Sequence, residues 1–181
     1  DEAIDALRRA VAFDTETEYL RMSLAKALLH KDQAEESISI LRQILQLAPD
    51  NVEGHELLGD LLSYQNNNQA AVEHYRSALR LDPDNETMQM RLAMAYGRLG
   101  RNEEAIGLLE TLVAAQPEAK LAHLSLARFY RENDQSEKAK QTYRALLARH
   151  PDQQQAFLEY GEMLVDEQLF AEALSLYRQR I

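Results

Sequence analysis

The sequence predicts an all-α chain of about eleven helices, paired and stacked as a solenoid. Pro49, Pro83, Pro117 and Pro151 recur every 34 residues, each followed by an acid: Asp50, Asp84, Glu118 and Asp152. Small residues keep the same period in two columns. One is Ala3, Ser37, Ala71, Ala105, Ala139 and Ala173; the other is Ala25, Gly59, Ala93, Ala127 and Gly161. Composition agrees. The 181 residues hold six Gly and four Pro, where average usage would give roughly 22 of the two together. That suits long helices and argues against a turn-rich sheet protein.

The elements follow in order. Residues 1–17 match only the second half of a period, with Ile4, Leu7, Val11 and Phe13 as the apolar side. Residues 18–51, 52–85, 86–119 and 120–153 are full periods, and residues 154–181 form a truncated one. In 52–85, Leu57, Leu58, Leu61 and Leu62 form one helical stripe. After the polar break Gln65-Asn66-Asn67-Asn68, Val72, Tyr75, Ala78, Leu79 and Leu81 form the next. A stripe of about 14 residues makes roughly 21 Å of helix. Two helices approaching to about 8–10 Å need small side chains at the crossing, which is what the Ala, Gly and Ser columns supply. No period can bury both of its sides alone, so neighbours must stack into one continuous core.

Polar residues punctuate the helices. Asn68, Asn102 and Ser136 precede the second helices and are expected to cap them. Glu35, Glu36, Glu103, Glu104 and Glu137 fall in first turns, where the helix dipole favours acids, and Asp50, Asp84 and Asp152 do the same for first helices.

These units resemble the tetratricopeptide repeat, whose outline is W-x2-L-G-x2-Y, then A-x3-F, then Pro. Residues 52–85 give His55, Leu58, Gly59, Leu62, Ala71, Tyr75 and Pro83. Residues 86–119 give Gln89, Leu92, Ala93, Tyr96, Ala105, Leu109 and Pro117; residues 120–153 give His123, Leu126, Ala127, Tyr130, Ala139, Tyr143 and Pro151. The outer copies fit through Leu24, Ala25, Leu28, Ser37 and Leu41, and through Phe157, Gly161, Leu164, Ala173 and Tyr177. The resemblance covers the whole chain. It implies a right-handed superhelix whose first helices line a concave groove.

The same resemblance implies which positions face that groove: the second, fifth, ninth, twelfth and thirteenth of each unit. The candidate partner-binding residues so obtained are Met22, Glu56, Asp60, Met90, Met94, Arg98, Leu121, Leu124, Arg128 and Arg131. Met90, Met94, Leu121 and Leu124 are expected to form one apolar patch, since an exposed patch rimmed by charge marks a partner site and methionine adapts to varied surfaces. The arginines beside it are expected to face an acidic stretch of a peptide or partner helix. Capture of a C-terminal carboxylate by the Lys and Asn clamp of chaperone-binding members is not expected. The clamp positions hold Met22 and Lys26 in one unit and Glu56 and Asp60 in the next.

Chemistry narrows the function classes. A formal charge of −10 opposes general nucleic-acid binding, which needs a cationic face. The charge is concentrated in residues 1–90, at −9, against −1 for residues 91–181. With no cysteine there is no disulfide, thiolate metal site or cysteine nucleophile. No run of about 18 apolar residues is present to cross a bilayer. The five histidines form no H-E-x-x-H pattern. No phosphate-cradling glycine loop or nucleophile elbow occurs. The expectation is a non-enzymatic scaffold without cofactor or metal that binds a protein or peptide. The uninterrupted repeat frame suggests a bacterial source, in cytoplasm or periplasm, with a role in envelope assembly or secretion by analogy. The alternative is a regulatory or substrate-recruiting arm of a larger enzyme such as a glycosyltransferase. The chain opens on Asp1, so a processed protein or a piece of a longer one is expected. Its uncapped ends would either continue the array or pair as a homo-oligomer.

Overall fold

The computed structural model describes residues 2–14 and 17–178, and every regular element among them is an α-helix. The chain divides into two compact units, Asp1–Arg101 and Asn102–Ile181. The first holds α1 (Glu2–Phe13), α2 (Glu18–Leu29), α3 (Ala34–Leu47), α4 (Val52–Tyr64), α5 (Asn68–Leu81) and α6 (Glu86–Arg98). The second holds α7 (Asn102–Ala115), α8 (Lys120–Glu132), α9 (Ser136–Arg149), α10 (Gln154–Asp166) and α11 (Phe170–Arg178).

Within the first unit each helix packs on the next, from α1 on α2 to α5 on α6. The small columns sit in the seams. Ala25, Ala71 and Ala93 are fully buried. Ser37, the polar member of its column, donates its hydroxyl to the Ala25 carbonyl at 3.0 Å. Gly59 lies under the Tyr75 ring, where a Cβ would stand 2.6 Å from Cε1. In the second unit Ala105, Ala127 and Ala139 are fully buried, and Gly161 lies under Tyr177 as Gly59 lies under Tyr75.

Each first helix ends the same way. Asp32, Asn66, Gly100, Asp134 and Gln168 have left-handed backbone, with φ of 58°, 61°, 72°, 55° and 61°. The residue after each donates its N–H to the carbonyl five back: Gln33 to Leu28, Asn67 to Leu62, Arg101 to Tyr96, Gln135 to Tyr130 and Leu169 to Leu164, at 2.8–3.0 Å. This closing bond satisfies carbonyls the helix leaves free. Only Gly100 adopts the conformation without steric cost, and Asn and Asp tolerate it; Gln168 has neither advantage.

The expected second-helix caps are displaced by one residue. Asn68, Asn102 and Ser136 are the first residues of α5, α7 and α9, already helical and so past the capping position. The cap of α5 is Asn67, whose side chain accepts from Ala70 N. Asn68 is instead buried, its Oδ1 accepting from the Ser63 hydroxyl at 3.3 Å. Asn102 donates to Asn133 Oδ1 at 3.0 Å. Asn51 and Asn85 cap α4 and α6 by accepting from Gly54 N and Met88 N.

In three periods the fourth position ties down the proline loop. Gln89 Nε2 donates to the Pro83 carbonyl at 2.7 Å. His55 Nε2 and His123 Nε2 reach the carbonyls of Pro49 and Pro117 at 3.0 Å. A carbonyl only accepts, so each imidazole carries its hydrogen on Nε2. His55 Nδ1 therefore accepts from His74 Nδ1, 2.9 Å away. His123 Nδ1 is buried with no partner. Burial holds His74 and His123 below the ordinary histidine range.

Two outcomes follow. As pH falls through about 6.5, the unfolded chain takes up protons that the native His123 refuses, so stability is lost. His123→Gln, which keeps the donor to Pro117 as Gln89 does for Pro83, should shrink the fall in urea midpoint between pH 7.5 and 5.5. Gln168→Gly should stabilise α10–α11 by about 0.5–1 kcal/mol by removing the left-handed penalty, read as slower amide exchange in α11.

Candidate functional site

Two groups pair an acid and an Arg on first helices with a Tyr from the second helix between them, built on the same repeat positions with the charges exchanged. In the first unit Asp60 on α4, ninth in its repeat, pairs with Arg91 on α6, sixth in the next, at 2.7 Å; Glu56 takes the same guanidinium at 2.8 Å. Tyr75 on α5 donates its hydroxyl to Asp60 at 2.9 Å. In the second unit the ninth position is Arg128 on α8 and the sixth of the next repeat is Glu159 on α10. Arg128 Nε reaches both carboxylate oxygens, at 3.1 and 2.9 Å, and Nη2 adds a further ion pair. Tyr143 on α9, the counterpart of Tyr75, donates to Glu159 at 3.0 Å and Gln155 donates at 2.6 Å.

The hydroxyl follows the acid. Tyr75 leans back to its own first helix, and Gly59 beside Asp60 makes room for the ring; Tyr143 leans forward to the next, and Ala127 is tolerated. The surroundings give the two acids opposite titrations. Burial outweighs the Tyr75 hydroxyl and the Arg91 charge and raises the Asp60 carboxyl above its ordinary value. Burial would also raise Glu159, but hydrogen bonds from Arg128, Gln155 and Tyr143 overcome it and bring the carboxyl down to about 2.

These pairs decide which sequence-predicted groove residues are free. Arg128 is committed to Glu159, and Glu56 and Asp60 to Arg91, so none of them offers an unmet charge. Met22 and Leu124 are buried, at 6% and 7% exposure, which corrects the expectation that they line open surface. Each lies three residues before a fully buried Ala of the small column, Ala25 or Ala127, and so on the edge of the packed seam. Met90 is half-buried, and Met94 and Leu121 are exposed. Met90 and Met94 belong to the first unit, Leu121 and Leu124 to the second.

What stays open in the first unit is a pocket of about 300 Å³ lined by Asp60, Ser63, Tyr64, Tyr75, Arg91, Met94 and Arg98. Arg98 donates to the Ser63 hydroxyl and has no carboxylate partner among the described residues. Tyr64 stands 85% exposed at its rim. Asp60, Tyr64, Met94 and Arg98 hold positions that the sequence reading assigns to the groove. That Glu56 and Asp60 hold Arg91, and that Tyr75 bonds to Asp60, is what periodicity does not reveal. In the second unit Arg131 is exposed and has no carboxylate partner among the described residues. Among the described residues no three metal-ligating side chains converge, and no helix is long and apolar enough to cross a membrane.

Successive helical hairpins with small residues in their seams are the architecture of a helical-repeat scaffold. Models described as tetratricopeptide repeat match residues 56–117 in one case, and residues 1–61 and 98–159 in another. The chain belongs to the tetratricopeptide-repeat family. No curated protein matches it. Among solved structures, YrrB, described as a TPR protein with an unusual peptide-binding site, superposes with a TM-score of 0.76 at 16% identity, covering 96% of this chain and 89% of that one. MamA from Desulfovibrio magneticus RS-1 gives 0.78 at 20% identity, covering 90% and 92%. Pseudomonas aeruginosa pilF gives 0.70 at 21%, covering 97% and 76%. At these identities the likeness is one of fold.

The two locks make a directional prediction. Glu159 contributes stability above the ordinary carboxylate range, and this is lost as pH falls toward 2; Asp60 takes up its proton earlier than an unfolded aspartate and loses nothing there. Carboxyl carbon NMR should show Asp60 titrating above Glu159 by well over one pH unit. Glu159→Gln should cost about 2 kcal/mol by leaving Arg128 unpaired, read from the urea midpoint.

Proposed function

We propose that this chain is a non-catalytic scaffold that holds a peptide or partner helix on its first-helix face, and that the Arg98 pocket of the first unit is the anchor. The carrying observation is that Arg98 is the one guanidinium of that pocket left without a carboxylate, since Arg91 is met by both Glu56 and Asp60. Beside it stand Met94, 47% exposed, and Tyr64. An exposed cation next to adaptable apolar surface suits a segment with an acidic residue adjacent to Leu, Met or Phe. The apolar patch of the sequence reading thus contracts, in this proposal, to Met94 with Tyr64 in the first unit. The fold it shares with YrrB, a peptide-binding protein by its description, supports the reading. We assign the scaffold to bacterial envelope assembly or secretion by analogy with other bacterial arrays.

Peptide display against the whole chain should enrich sequences pairing Asp or Glu with a large apolar residue. Arg98→Glu should weaken the selected peptides at least tenfold in fluorescence anisotropy, and Met94→Asp similarly. Peptides that bind Arg98→Glu as well as the parent chain would remove the pocket from the account.

A further inference from the structure

The charges at the Arg98 pocket are unevenly shared. Two carboxylates, Glu56 and Asp60, meet one guanidinium, Arg91, at 2.8 and 2.7 Å. Counting Arg98, two cations and two anions cancel. An acidic side chain settling on Arg98 would therefore bring an uncompensated negative charge close to Asp60, which lines the same pocket and is half-buried. A like charge favours the protonated form of a carboxyl, and so does the loss of water. Of the two acids, Asp60 is also the one that can lose its charge cheaply. Arg91 keeps Glu56. The Tyr75 hydroxyl, 2.9 Å from Asp60, can go on donating, because a protonated carboxyl still accepts on its carbonyl oxygen. The charged and titratable groups around Asp60 are Tyr75 from α5, Arg91 and Arg98 from α6, and Glu56 and Tyr64 from its own helix. Lys26 on α2, the ninth residue of the preceding repeat, is held by Glu53 at 2.6 Å. Burial already lifts the Asp60 carboxyl above its ordinary value in spite of Arg91.

We infer, on the reading that Arg98 anchors the partner, that Asp60 is the selectivity residue of this pocket: an acidic side chain is taken onto Arg98 together with one proton, which Asp60 accepts. The proton comes from solvent and adds to a carboxylate oxygen of Asp60, and no other bond changes. The pocket then holds as much positive as negative charge with the partner bound as it did without it. A group whose affinity for a proton rises on binding takes one up on binding, so affinity for an acidic partner increases as pH falls. A neutral partner brings no such charge and draws no proton. Asp60 thus makes the pocket discriminate between acidic partners by pH, which Arg98 alone would not do.

The probes are two fluorescein-labelled peptides, Glu-Leu-Glu-Leu-Glu-Met and its counterpart with Gln for each Glu, titrated into the whole chain. By anisotropy the acidic peptide should bind at least fivefold more tightly at pH 5.5 than at pH 7.5, and the Gln peptide about equally at both. Calorimetry at pH 6 in two buffers of different ionisation heat should show net proton uptake with the acidic peptide alone. Asp60→Asn, whose amide keeps an acceptor for Tyr75, should bind the acidic peptide at least fivefold more tightly than the parent chain at pH 7.5 and lose most of the uptake. Histidines take protons over the same span, and all of them remain in this variant, so the difference belongs to Asp60. Binding that requires Arg98 but takes up no proton, or a pH dependence undiminished in Asp60→Asn, would overturn the inference and leave the pocket standing. No binding of the acidic peptide, or binding indifferent to Arg98→Glu, would remove the pocket and the inference together.

Discussion

The fold depends on how closely two helices can approach where a side chain has almost no volume. Ala25, Ala93 and Ala127 have no exposed surface at all, and at Gly59 even a methyl group would enter the Tyr75 ring. Close crossings let Leu and Tyr side chains reach over the seam and fill the space beside it. Everything polar is arranged around that constraint. The left-handed residue that ends each first helix sets the angle at which the second returns, and His55, Gln89 and His123 fix the proline loops that lead into their own repeats.

Charge then specifies what packing leaves general. Small and large apolar columns alone would let one repeat stack on any other. The exchanged pairs, acid before arginine in the first unit and arginine before acid in the second, make the contacts unlike one another. A stack shifted by two repeats would oppose Asp60 to Glu159, and like charges there cost free energy. Tyrosine hydroxyls reinforce each choice by turning toward whichever helix bears the carboxylate.

The repeat architecture was legible in the sequence because its signals are periodic: prolines at 49, 83, 117 and 151, and small residues locked to the same count. The cap of α5 was misplaced by one residue because consecutive asparagines, Asn66-Asn67-Asn68, give three candidates for turn, cap and first helical residue, and only the left-handed φ of Asn66 separates them. The groove was legible only in part. Position within a repeat says which way a side chain points but not what meets it there. Arg128 reads as open and is tied to Glu159; Met22 and Leu124 read as open and lie in the seam. Arg98 and Met94 are exposed, and Arg98 meets no carboxylate among the described residues.

The most direct test of the central constraint compares two alanine-to-leucine changes in the second unit. Ala127 is fully buried in the seam and Ala148 is exposed on α9. Ala127→Leu should lower the urea midpoint by the equivalent of about 3 kcal/mol, because the crossing cannot widen without losing its neighbours, while Ala148→Leu should leave it nearly unchanged. Equal midpoints for the two variants would contradict the account, since they would mean that the small columns do not set the distance between the helices.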